Sequence, residues 1–289
     1  MTATAQTTLP TIAFLGAGSM AGAILSGLLS PRVTVEGGIR VTSRSSATAA
    51  RYADVASVTA YAADGDTDAN RKAVRGAKLV VLAVKPYLVP EVLAEVAGEL
   101  EPDAVVVSVA AGVTVATMEA ALPASVAVIR TMPNTPAQVG RGVTGVSRGT
   151  RATDDDAALV RALFETVGAV VEVPESQLDA LSTISGSGPA YVFLLIEELT
   201  KTTVAKGFTP EQAKLLVEQT FLGASELLVA TGEDPAELRR RVTSPKGTTE
   251  KAIEVLQAAG LSALFDRATD AALARARELA APSAAGGGS

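Results

Sequence analysis

The chain contains neither cysteine nor histidine. Without thiols there is no disulfide, no thiolate nucleophile and no cysteine-held zinc. Without imidazole, the usual general base at neutral pH and the commonest metal ligand are both missing. No metal site is expected. Aromatic residues make up only 3% of the chain and tryptophan is absent, so any core must be aliphatic. Positive charge is not in excess: 25 Lys and Arg stand against 31 Asp and Glu, a net charge of −6, which argues against a nucleic-acid partner. No apolar run approaches the roughly 18 residues of a membrane helix. Residues 1–8 are small and polar and lack the basic and apolar regions of a signal peptide, so they read as a disordered leader. Residues 281–289, rich in Ala, Gly and Ser, read as a disordered tail. The expectation is a cytoplasmic protein. Its chemistry must come from a cofactor, hydroxyls, carboxylates, Lys, Arg, Tyr or the backbone.

What the chain does have is 289 residues, enough for two domains, of which 48% are hydrophobic. The apolar run Thr11-Ile12-Ala13-Phe14-Leu15 is followed by Gly16-Ala17-Gly18-Ser19-Met20-Ala21. Strand, glycine turn and helix open a nucleotide-binding βαβ unit. Gly16 permits the turn, Gly18 lets the backbone approach a pyrophosphate, and Ala21 lets the helix lie close to the strand. The helix start then offers free N–H groups to the phosphates. Further strands are predicted at 39–42, 57–60, 79–84, 104–109, 126–131, 143–147 and 169–173, with helices between them. The runs near 80 and 105 are continuously apolar, the pattern of parallel strands covered on both faces. Thr153 followed by three aspartates marks a helix start. Residues 9–174 are thus expected to form a Rossmann-type doubly wound α/β domain.

After Pro174 the pattern becomes helical, giving an all-α second domain over 175–280. Pro189 and Pro210 sit where helices begin, and Thr209 with Gln212 forms a capping box. The segment Tyr191-Val192-Phe193-Leu194-Leu195-Ile196 is apolar on every side, so it must be buried. Either it is a central core helix, or it belongs to a subunit interface.

The second strand decides the nucleotide. An NAD site carries an acid at its end; here the residues are Thr42-Ser43-Arg44-Ser45-Ser46. Ser43 and Arg44 suit a 2′-phosphate, so NADPH is favoured over NADH. Lys85, in Ala83-Val84-Lys85-Pro86, and Ala111, in Ala110-Ala111-Gly112, end later strands at the same ligand-binding edge. The run Thr243-Ser244-Pro245-Lys246-Gly247-Thr248-Thr249 precedes a helix and offers hydroxyls and N–H groups suited to a carboxylate. Plain helix capping by Thr248 or Thr249 is the alternative.

Taken together, these segments resemble the Δ1-pyrroline-5-carboxylate reductase family. The resemblance runs through Phe14–Ala21, Ala83–Pro86, Ala110–Val113, Arg130–Pro136, Ser185–Tyr191 and Val242–Thr249 in order. It implies a Rossmann domain followed by a helical dimerisation domain, in dimers that often assemble into a decamer as a pentamer of dimers. It implies reduction of the cyclic imine to L-proline by NAD(P)H, the last step of proline biosynthesis. It places the active site between the cofactor edge and the dimer helices. Carried over by position, the cofactor set is Gly16, Ala17, Gly18, Ser19, Met20, Ser43, Arg44, Asn70, Ala83, Val84, Lys85 and Ala111. The substrate set is Glu175, Ser244, Gly247, Thr248 and Thr249. Thr249 is the candidate catalytic hydroxyl, placed to hydrogen-bond the ring nitrogen. The family usually has a small residue at Thr248 and often Gly at Lys246. Two other readings remain. A β-hydroxyacid dehydrogenase would need a lysine early in the helix after Pro189, and none is there. An NADP-binding redox sensor would not need the 243–249 bend.

Overall fold

Strands buried on both faces form the centre of the N-terminal unit. The computed structural model describes residues 6–280, and side chains through 278. Its elements in chain order are β1 (Thr7–Leu9), β2 (Ile12–Leu15), α1 (Ser19–Leu28), β3 (Val33–Val35), β4 (Ile39–Ser43), α2 (Ser46–Ala49), β5 (Val58–Ala62), α3 (Ala69–Val74), β6 (Leu79–Leu82), α4 (Val89–Val96), β7 (Val105–Ser108), α5 (Val115–Ala120), β8 (Ala127–Met132), β9 (Gly142–Arg148), α6 (Asp154–Glu165), β10 (Gly168–Glu172), α7 (Glu175–Leu181), α8 (Gly188–Ala205), α9 (Pro210–Thr231), α10 (Pro235–Arg241), α11 (Thr248–Ala258) and α12 (Leu261–Ala280). The described residues divide into two compact units, 6–187 with 273–280, and 188–272.

The main sheet of the first unit has the order β10-β9-β8-β7-β6-β2-β4-β5. From β5 to β8 every pairing is parallel, which is the nucleotide-binding order with β2 as its first strand. β2, β6 and β7 are buried at every position. Alternate residues feed two separate cores. Ile12, Phe14, Val81 and Val107 join Ile24 of α1 and Phe164 of α6 on one face. Ala13, Leu15, Val80 and Val106 join Leu93 of α4 and Met118 of α5 on the other. A sheet with helices on both faces follows from that period-two alternation.

The structure departs from the sequence reading in three places. Thr7 and Thr8 belong to a strand and not to the leader, because β1 pairs in parallel with β3 and Leu9 is buried beneath it. Residues 1–5 and the expected tail lie outside the described residues. β9 runs antiparallel to β8, so β9 and β10 extend the sheet in the reverse direction. The compact unit also continues past residue 174, because α7 lies on the sheet: a Cβ at Gly145 of β9 would stand 2.7 Å from the Leu181 side chain. A π-helical turn over Ser182–Gly186 follows it.

The second unit is helical, and its sequence signals form as expected. Thr209 and Gln212 make a reciprocal capping box at α9, and Asp234 caps α10. What the unit lacks is an interior of its own. Among its described residues only Ala213 and Val217 are buried. α8 has no buried residue; Phe193 is 66% exposed and Leu195 47%. The core-helix reading of Tyr191–Ile196 is therefore not met within one chain. No helix among the described residues is long and apolar enough to cross a membrane.

Candidate functional site

The first unit carries a cleft of about 670 Å³ at the carboxyl ends of β2, β4 and β6. Its lining includes Gly16, Ala17, Gly18, Ser19, Met20, Ser43, Arg44, Ala83, Val84 and Lys85, ten of the twelve residues assigned to the cofactor from sequence.

The glycine turn is built by close approach. Gly16 has φ +103°, and a Cβ there would meet the Ala83 carbonyl oxygen at 2.6 Å. Only glycine fits both restrictions. The Gly16 N–H donates to the Thr42 hydroxyl at 3.2 Å, tying the turn to β4. Gly18 is different: the nearest protein atom to a Cβ there is 4.0 Å away, so the space its missing side chain leaves is open to a ligand. Gly18 is also the N-cap of α1 and provides no side-chain acceptor for the first N–H groups. A backbone that leaves donors free at a helix start is a cradle for a pyrophosphate. The residues present therefore fit a dinucleotide.

The loop after β4 is fixed from within. The Ser43 hydroxyl donates to the Ser45 carbonyl at 2.8 Å, and the Ser45 side chain caps α2 by accepting from Thr48 N–H. The Ser46 hydroxyl donates to Asp64 at 2.6 Å and its N–H donates to the same carboxylate at 2.9 Å. These bonds hold the Asp64 carboxyl below its ordinary range, the hydroxyl contributing most. Arg44 itself is exposed and has no hydrogen bond or ion pair among the described residues. A cation left unpaired on a braced loop is what a 2′-phosphate requires. Ser45, Thr48, Leu88 and Val109 also line the cleft and were missed from sequence. Ser45 was legible there as a cap.

Two cofactor assignments fall outside the lining. The Asn70 amide donates to Glu95 at 2.8 Å and so joins α3 to α4. Ala111 is exposed in the turn after β7, next to Gly112 at φ +78°. Glu175, assigned to the substrate, has structural partners. Its Oε1 accepts from Val115 N–H at 2.7 Å, at the start of α5, and from Arg130 at 3.2 Å. Arg130, whose side chain is 7% exposed, also reaches Asp179 at 2.8 Å. The carboxylate pair balances a buried cation and closes a helix end. Asn134 locks the Arg130–Pro136 segment by donating to the Ser185 carbonyl at 2.9 Å and accepting from Val143 N–H at 2.8 Å.

In the second unit, Ser244, Gly247, Thr248 and Thr249 occupy the bend that opens α11. The N-cap is Gly247, with no side-chain capping bond. Neither threonine hydroxyl has a hydrogen-bond partner among the described residues. Plain capping by Thr248 or Thr249 is thereby ruled out. A Cβ on Gly247 would sit 2.9 Å from the Ser244 carbonyl oxygen, so the tight bend needs glycine there. Open hydroxyls and uncapped N–H groups at one helix start can take a carboxylate and a ring nitrogen.

A family model described as NADP oxidoreductase coenzyme F420-dependent matches residues 11–112, and one described as pyrroline-5-carboxylate reductase dimerisation matches residues 175–279. With the phosphate cradle, they define an oxidoreductase dependent on a nicotinamide dinucleotide. The pyrroline-5-carboxylate reductase of Corynebacterium melassecola is 40% identical over 93% of this chain and 98% of its own length; that of Pseudomonas aeruginosa is 39% identical over 94% and 97%. The solved reductase from Coxiella burnetii aligns at a TM-score of 0.84 and 37% identity, over 93% of this chain and 97% of that one. The chain belongs to the pyrroline-5-carboxylate reductase family.

Proposed function

We propose that this chain reduces 1-pyrroline-5-carboxylate to L-proline, the last step of proline biosynthesis, with NADPH as its preferred reductant. The observation that carries the substrate assignment is the bend before α11, with two unpartnered threonine hydroxyls and a glycine cap. Gly247, Thr248 and Ser244 take the carboxylate. Thr249 hydrogen-bonds the ring nitrogen. When bound, the dinucleotide supplies a hydride to C5. The chain's own groups need not protonate the imine strongly, because a cyclic imine can acquire its proton from water; the absence of histidine is compatible with that chemistry. Positioning carries the main effect, since alignment of reactants contributes about 7–11 kcal/mol. The deciding assay is oxidation of NADPH in the presence of 1-pyrroline-5-carboxylate. A β-hydroxyacid dehydrogenase or a redox sensor gives no turnover in it.

The preference for NADPH rests on Arg44, exposed and unpaired at the end of β4 where an NAD site has an acid. Arg44→Ala is expected to raise the KM for NADPH about tenfold, the loss of one charge-assisted bond to phosphate. The KM for NADH should move less than twofold. Equal weakening of both coenzymes would exclude the phosphate assignment. The working unit is a cytoplasmic homodimer, with a decamer of five dimers as the larger assembly. It acts on a small molecule and uses neither nucleic acid nor membrane. Sedimentation of the purified protein distinguishes dimer from decamer.

A further inference from the structure

Residues 244–247 form a turn in which one position is occupied against its preference. The Ser244 carbonyl accepts from Gly247 N–H at 2.9 Å, and Pro245 and Lys246 lie between them. Lys246 has φ +59°. Proline at the second position and positive φ at the third is the type II pattern, in which the third residue is ordinarily glycine or asparagine. Lys246 is the only non-glycine residue with positive φ among the described residues. Glu250, in the first turn of α11, supplies the support. Its Oε2 accepts from the Lys246 backbone N–H at 2.8 Å. A carboxylate at the third helical position usually reaches back to the cap residue. Here the cap is Gly247, and Glu250 reaches one residue further, to the strained position itself.

We propose that Glu250 is a positioning residue for the imino-acid site: it braces Lys246 in the left-handed conformation and so fixes the bend that carries Gly247, Thr248 and Thr249. The inference rests on the reading of that bend as the substrate loop. It runs against simple charge logic. A carboxylate beside a site for an anionic substrate should weaken binding, so its removal should tighten binding. A brace makes the opposite prediction.

Steady-state kinetics of Glu250→Ala, Glu250→Gln and the double variant Lys246→Gly/Glu250→Ala separate the two. Glu250→Ala is expected to raise the KM for 1-pyrroline-5-carboxylate about five- to tenfold while the KM for NADPH stays within about twofold. Glu250→Gln, whose amide oxygen still accepts, should retain most of the wild-type affinity. The double variant should recover to within about threefold of wild type, because glycine adopts positive φ without support. An unchanged or lowered KM in Glu250→Ala overturns the proposal, as does a double variant no better than the single one. Either result with a wild-type enzyme that turns over the imine removes the brace and leaves the substrate assignment in place. A wild-type enzyme that does not turn it over removes both.

Discussion

Phe193→Asp is expected to convert the protein from dimer to monomer at micromolar concentration. The second unit leaves its apolar helix faces largely uncovered within one chain. α8 exposes Val192, Phe193, Leu194, Leu195 and Leu199, and α9 exposes Leu215, Leu216, Leu222, Leu227 and Val229. With two residues buried in the whole unit, these helices need a covering surface, and a second copy of the same helices supplies it. Covering one phenylalanine contributes about 1.5–3 kcal/mol, and an unpaired carboxylate in its place costs several more. A two-fold interface counts each change twice. The total is at least about 6 kcal/mol, or roughly four orders of magnitude in dissociation constant. Analytical ultracentrifugation reads this directly. The cofactor cleft is lined by residues between Gly16 and Val109 of the Rossmann unit, so binding of NADPH there should persist. A variant that still sediments as wild type would place the interface elsewhere.

The Rossmann half was legible because each of its signals is local. The continuous apolar runs at 12–15, 79–82 and 105–108 and the cap at Thr153 depend on neighbours a few residues away. The same holds for the phosphate cradle, since Gly16 and Gly18 are set by the turn they make. The short β1–β3 pair was missed because three-residue strands have no period to detect. The reversal of β9 was missed because direction is decided by the connection through residues 133–141, and residue pattern at Gly142–Arg148 is the same either way. Glu175 and Asn70 show the other limit. Their places in the chain match a ligand site, but their hydrogen-bond partners, Arg130, Val115 and Glu95, lie 25 to 60 residues away. No spacing rule reveals such a partner. Ser45 could have been found, since it is a capping serine directly beside Arg44. α8 is a case of information the sequence contained in part: that it must be buried was readable, and whether by its own chain or by another was not.

Thr249→Ala should lower kcat about ten- to a hundredfold and leave NADPH binding within about twofold of wild type. The magnitude follows from the bond removed. A hydrogen bond to a group that carries charge contributes about 1.5–3 kcal/mol, and each 1.36 kcal/mol is tenfold in rate. A hydroxyl that fixes the ring nitrogen also fixes the approach of C5 to the hydride donor, so its loss acts on turnover more than on ground-state binding. Loss of folding cannot be the cause of the effect. Thr249 lies inside the first turn of α11, the cap is Gly247, and the Thr249 hydroxyl has no partner among the described residues. Alanine is the better helix former at such a position, so the melting temperature should hold or rise. Thr249→Ser keeps the hydroxyl and should keep most of the turnover. Thr248→Ala, one residue earlier, should raise the KM for the imino acid with little change in kcat, because its assigned contact is the carboxylate, which does not react. An alanine at 249 that turns over as fast as wild type would remove the hydroxyl from the mechanism. Equal effects of the two threonines on kcat would mean that the bend acts as a unit, without division between carboxylate and ring nitrogen.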